Sequence, residues 1–134
     1  MAWETEQRKL DPERVLGGVS SLLENPARGT YYVAEASEAG QSVIAGQLLI
    51  THEWSDWRNG DFWWIQSVYV AEPYRSRGVF RALYQHVHEL AREQKNVCGI
   101  RLYMDAHNDQ ARRAYERLGM KCTDYQVFEI DFVL

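Results

Sequence analysis

Arg75-Ser76-Arg77-Gly78-Val79-Phe80 is the stretch of this chain whose residue types and order point most directly to chemistry. It follows the β-rich run that ends Val68-Tyr69-Val70 and opens an amphipathic helix. The first N–H groups of a helix have no carbonyl within it, and they converge with the positive end of the helix dipole on any anion placed there. Two arginines reinforce that field, so the turn reads as a phosphate-binding device. A second group lies further on, in Asn108 to Met120. Asn108 and Tyr115 are seven residues apart, close to two helical turns, so both face one side and can reach one ligand. A tyrosine hydroxyl held at a leaving group can give it a proton. The plain alternative for Tyr115 is the aromatic member of an apolar stripe with Ala111, Ala114 and Leu118.

These groups need elements to position them. Asp11-Pro12 reads as an N-cap with proline at the first helical position, and Val15, Leu16, Val19, Leu22 and Leu23 follow at helical spacing until Asn25-Pro26. Thr30–Glu35 is a strand, residues 37–41 a turn and Ser42–His52 a second strand in which Gly46 marks a bulge. Asn59-Gly60 turns the chain into a third strand, Phe62–Val70. The helix from Val79 to about Gln94 carries Val79, Leu83, Val87, Leu90 and Ala91 on one stripe. Residues 98–105 form a fourth strand, and the intervening crossover helix makes it parallel to the third. A last helix over Asp109–Leu118 stops at Gly119, and the alternation of Tyr125–Phe132 predicts a closing strand.

With 134 residues, 46% hydrophobic and 25% charged, the chain is expected to form a single globular domain over 1–134. A formal net charge of −4 argues against a nucleic-acid partner. No apolar run approaches a membrane span, so no membrane partner is expected. Cys98 and Cys122 have neither metal-knuckle spacing nor the number for a disulfide framework, and His86 and His88 face different ways on their helix. No metal site is expected, and the location expected is cytoplasmic. Trp54, Trp57, Trp63 and Trp64 gather much of the large aromatic surface in one hairpin, as pocket lining, interface or core edge.

Taken together, the two motifs resemble those of the GNAT N-acetyltransferase superfamily, over most of the chain from about Asp11. Arg75-Ser-Arg-Gly78-Val-Phe80 matches the family's Gln/Arg-x-x-Gly-x-Gly/Ala turn except at Phe80, whose ring must turn toward the sheet to leave its N–H usable. Asn108-x-x-Ala111-x-x-x-Tyr115-x-x-x-Gly119-Met120 is similar to the family's second conserved helix. The resemblance implies an α/β fold: a mixed, mostly antiparallel sheet with a splayed parallel central strand pair, flanked by helices. It implies acetyl-coenzyme A as co-substrate, with Arg75, Ser76, Arg77, Gly78, Val79 and Phe80 on the pyrophosphate. It further implies that the backbones of Val68 and Val70 hold the pantetheine arm and acetyl carbonyl, that Asn108 orients the arm, and that Tyr115 meets the thioester sulfur. The reaction implied is direct attack of a primary amine on the acetyl group.

Trp57-Arg58-Asn59-Gly60 also resembles the Trp-Arg-Gly turn of the spermidine/spermine acetyltransferase branch. That branch carries a Glu-Asp pair where this chain has Gln66 and Ser67, and an amide cannot accept the amine's proton. The acceptor is therefore a small-molecule amine or other amino group of open identity, and Glu53, His52 and Glu35 are the candidate bases beside Gln66. Family members begin with a strand and a helix, for which residues 1–10 are too short and too charged. If Ala2–Glu6 is the stub of that helix, the edge of strand 30–35 is left to pair with another chain, and a homodimer is expected. Two rival readings stand beside the transferase: a non-catalytic acyl-coenzyme A-binding module and an aromatic-rich dimerisation domain.

Overall fold

The computed structural model describes residues 9–134, which divide into two compact units meeting at Tyr103/Met104. The first unit opens with helix α1, Pro12–Glu24, where the Asp11 side chain accepts a hydrogen bond from the Glu13 N–H, as its cap position predicts. Leu22 is buried, but Val15, Leu16 and Leu23 are exposed, so the apolar stripe of α1 is largely uncovered in the structure. The proposed helix stub and the question of a preceding strand fall on residues 1–8, outside the described residues.

Strands β1 (Thr30–Glu38), β2 (Gln41–Ser55), β3 (Gly60–Val70) and β4 (Val97–Arg101) form a sheet in the order β1-β2-β3-β4. The first three are antiparallel neighbours, and β4 lies parallel to β3 after helix α2, Val79–Glu93. This is the mixed α/β arrangement that the crossover predicts. The turns also fall where expected, with Ala39-Gly40 and Asn59 in left-handed conformations between the strands.

Leu48 and Ile50 of β2, Trp63 and Ile65 of β3, and Leu83, Tyr84, Val87 and Ala91 of α2 are buried and form the core. Each large aliphatic side chain so removed from water contributes about 1.5–3 kcal/mol. Gly46 is what lets α2 approach: a Cβ there would lie 2.9 Å from Val79 Cγ1 and 3.0 Å from the Tyr69 carbonyl oxygen. Gly46→Val is expected to lower stability by about 1–3 kcal/mol through overpacking, read as a lower urea midpoint at unchanged m-value. Beside it Ala34 opposes Gly46 while Glu35 opposes Ile44, leaving Ala45 as the extra residue of the expected bulge.

Two expectations need correction. The fourth strand ends at Arg101, not at 105, and its pairing with β3 stops at Trp64–Arg101. Residues 125–132 form no strand: Tyr125, Val127, Phe128, Ile130 and Phe132 are all exposed. Alternation gives a segment the capacity to pair, but a ladder also requires an edge that receives it, and none does so among the described residues.

The second unit, Met104–Leu134, contains helix α3, Asp109–Arg117. Leu118 caps it and Gly119 follows at φ +86°, as expected. The Gly119 N–H donates to Glu116 O and the Met120 N–H to Tyr115 O, both in the Schellman pattern.

Candidate active site

The anion-binding turn is assembled from the end of β3. The Ala71 N–H donates to Ala45 O at 2.9 Å and closes the strand against β2, after which a 3₁₀ turn over Glu72–Tyr74 reverses the chain. Ser76 at φ +60° and Gly78 at φ +79° bring it into α2. Gly78 O accepts from the Ala82 N–H at 3.0 Å, the first bond of the helix. Among the described residues no side chain caps this end, and no acidic residue lies in the first turn, so the N–H groups of Val79, Phe80 and Arg81 lie where the helix dipole is positive. The Phe80 ring is half-buried, 6.3 Å from that of buried Tyr84, along the packed side of the helix as its neighbours require.

Side chains brace this turn. The Arg75 Nε donates to Val70 O at 3.0 Å, and its guanidinium lies 5.8 Å from the Tyr69 ring centroid. The Arg77 guanidinium sits 5.8 Å from the ring centroid of Tyr74, whose hydroxyl donates to the Glu38 carboxylate at the β1–β2 hairpin. That hydrogen bond to Glu38 is the main cause holding the Tyr74 pKa above the ordinary tyrosine value. The hairpin thus anchors the loop that presents both arginines.

A gap opens beside β3. Beyond Trp64–Arg101 the strand continues through Val70 with no parallel partner among the described residues. Because the Ala71 N–H points to β2, strand alternation turns the N–H and C=O groups of Val68 and Val70 to the other side, into the gap. A bulge shapes its inner end: Ser67 opposes Leu49 and Ile65 opposes Ile50, leaving Gln66 as the extra residue.

The register separates the candidate bases. Thr51 opposes Trp64, and Gln66 reaches the same face, its Nε2 donating to Thr51 Oγ1 at 2.9 Å. The Tyr103 hydroxyl lies 3.4 Å from Gln66 Oε1, and its ring 6.0 Å from that of Trp64. Glu53, two residues from Thr51, shares this face and accepts from Arg101 Nη1 at 3.1 Å, while the Arg101 guanidinium lies 3.6 Å from the Phe62 ring centroid. His52 points the other way, against Trp63 at 5.9 Å. Glu35 stands on outer strand β1 opposite Ile44, beyond the Gly46–Val70 pair and away from Gln66. Sequence reasoning missed Thr51, Arg101 and Tyr103. For the last two a signal was available, since ligands gather at the carboxyl ends of parallel strands.

In the second unit, Asn108 is the N-cap of α3: its Oδ1 accepts from the Ala111 N–H at 3.0 Å, leaving its amide N–H groups as donors for a ligand. Tyr115 is half-buried, and burial raises its pKa above the ordinary tyrosine value. Its hydroxyl is therefore protonated at neutral pH, as a proton donor must be. Arg112 Nη2 lies 3.5 Å from Ala106 O. Among the described residues no His, Cys, Asp and Glu group is arranged to hold a metal, and no helix is long and apolar enough to cross a membrane. His86 and His88 instead lie against the rings of Tyr32 and Tyr84.

Comparison with known proteins bears on this geometry. A search of curated proteins gives no match. A possible acetyltransferase from Clostridium difficile 630 is similar to this chain in structure, with 38% identity over 99% of this chain and 85% of that one and a TM-score of 0.87. A protein described as a probable acetyltransferase shares the fold at 23% identity and a TM-score of 0.82, covering 98% of this chain and 85% of its own. A Trypanosoma brucei acetyltransferase does so at 20% identity and a TM-score of 0.68, covering 98% and 87%. The model of the acetyltransferase (GNAT) family matches residues 2–120, and with a helix-capping basic turn beside a splayed strand pair, the chain belongs to that family of acyltransferases.

Proposed function

We propose that this protein transfers the acetyl group of acetyl-coenzyme A to a primary amine by direct attack in a ternary complex. The observation that carries the reading is the gap beside β3, whose inner edge ends at Trp64–Arg101 and whose outer end meets the Arg75–Phe80 turn. In this reading the turn's N–H groups, with Arg75 and Arg77, hold the pyrophosphate. Val68 and Val70 pair with the pantetheine arm as a missing strand would, Asn108 donates to that arm, and Tyr115 meets the sulfur. The amine nitrogen bonds to the carbonyl carbon, the C–S bond breaks and the thiolate leaves with a proton from Tyr115, while the proton shed by the nitrogen as it becomes the neutral amide passes through water to restore the Tyr115 hydroxyl. Rate enhancement comes from positioning and from polarising the carbonyl, since the nucleophile belongs to the substrate.

An alkylammonium with a pKa of about 10.4 must lose a proton before it attacks. Glu53 is the candidate base on the Gln66 face of the sheet, and it would receive that proton through water. The Gln66 amide, tied to Thr51, supports an acceptor other than a polyamine. It also favours a second reading, an acyl-coenzyme A-binding module that has no base of its own. The two free thiols, Cys98 and Cys122, suit the reducing cytoplasm, where we place the protein.

Following free thiol with acetyl-coenzyme A and a panel of alkylamines, amino acids and short peptides tests the proposal. Thiol release that depends on one class of amine is the expected result. Binding of acetyl-coenzyme A without amine-dependent release would leave the module.

A further inference from the structure

Gln66 marks where an incoming amine would stand. Its Nε2 donates to Thr51 Oγ1 at 2.9 Å and its Oε1 lies 3.4 Å from the Tyr103 hydroxyl, so the amide is held from both sides in one orientation. A carbonyl oxygen has two lone pairs, and the second can accept an N–H of the acceptor at the inner end of the gap. Further from the gap on the same face lies a different group. Arg101 precedes Tyr103 by two residues on one side, Glu53 follows Thr51 by two on the other, and their side chains meet at 3.1 Å beside the Phe62 ring. Both neighbouring chains thus set the Gln66 amide and the Arg101 guanidinium about 7 Å apart.

We propose that the acceptor is an amine that also carries a carboxylate, its nitrogen at Gln66 and its carboxylate on Arg101. The inference names the acceptor class and rests on the transferase reading.

Charge favours an anion at this place. The guanidinium carbons of Arg101 and Arg58 lie 3.6 and 4.9 Å from the Phe62 ring centroid, against a single carboxylate, Glu53. Asp61 opposes Trp54 and so lies on the other face, where the Asn96 amide donates to it at 3.3 Å. A second cationic group on the acceptor would therefore be repelled, and an anionic one attracted. Geometry favours a carboxylate in particular. Arg101 commits Nη1 to Glu53, and its other donors form a rigid fork that matches a carboxylate. Contact with the ring and the bond to Glu53 hold that fork in place before a ligand arrives, so little freedom is lost on binding. The side chain is still 31% exposed, enough for a ligand to reach it.

The test measures kcat/KM by thiol release from acetyl-coenzyme A for three amines of matched length. They are 5-aminopentanoate, whose extended chain spans about the required distance, pentylamine, which has a methyl group in place of the carboxylate, and 1,5-diaminopentane, which has an aminomethyl group there. With the native sequence, 5-aminopentanoate is expected to exceed pentylamine by about 10-fold or more, as a charge-assisted pair implies, and the diamine to be poorest. In Arg101→Gln the ratio of 5-aminopentanoate to pentylamine should fall to about one. This ratio does not depend on how much of the variant folds. A native ratio near one, a preference for the diamine, or a ratio that survives Arg101→Gln overturns the inference and leaves the transferase reading standing. Absence of thiol release with all three amines defeats that reading and this inference with it.

Discussion

Replacing Tyr115 by phenylalanine is expected to leave acetyl-coenzyme A affinity unchanged and to lower kcat by about 100-fold, the lower range of general acid catalysis. The ring is retained, so the half-buried aromatic keeps its packing on α3 and only the hydroxyl is lost. Burial favours the neutral phenol over the phenolate and raises the pKa above the ordinary value of 10.0. A raised pKa means that the proton is kept to higher pH than in free tyrosine. The rate should therefore show no loss attributable to Tyr115 below about pH 9. If kcat is unaffected, Tyr115 is the apolar-stripe residue that its spacing also allows. A purely structural role would instead appear as a lower melting temperature with the kcat of surviving enzyme intact.

The second large effect concerns the basic turn. Arg75→Gln/Arg77→Gln should weaken acetyl-coenzyme A binding by about 100-fold, equivalent to two charge-assisted hydrogen bonds of roughly 1.4 kcal/mol each. Both side chains are exposed, so the fold should persist. Salt sharpens the test: native binding should weaken as ionic strength rises, while the double variant should respond less. Because Arg75 also bonds Val70 O, its single substitution would disturb the strand end as well as the charge. Arg77→Gln alone isolates the electrostatic part. An affinity indifferent to both substitutions would remove the arginines from the cofactor site.

Local signals in the chain carried much of this architecture. Asp11-Pro12, Asn59-Gly60 and Gly119 each state a backbone requirement that few other residues meet, and the structure has a boundary at each. Gly46 stands beside the bulged Ala45, and separately leaves the room that Val79 of α2 occupies. Gln66 announced nothing, since a bulge between ordinary residues is set by how two strands twist against each other rather than by residue type. The same register decides that Glu53 and not His52 shares the Gln66 face, a distinction that adjacent residues in one strand cannot reveal beforehand. Thr51 is unremarkable in isolation and only pairing across β2 and β3 brings it to Gln66, whereas Arg101 and Tyr103 stand at the carboxyl end of a strand whose parallel placement the crossover predicts. Residues 125–132 show the limit from the other direction. Their alternation is real, but a strand needs a partner that composition alone does not supply.

The account rests on main-chain donors at the start of α2 gripping a diphosphate. Calorimetric titration with acetyl-coenzyme A and, in parallel, with S-acetylpantetheine, which carries the thioester arm without the diphosphate, tests this most directly. Saturable binding of the first and affinity at least about 100-fold weaker for the second is the predicted result. Equal affinities, or no heat from acetyl-coenzyme A at all, would contradict it.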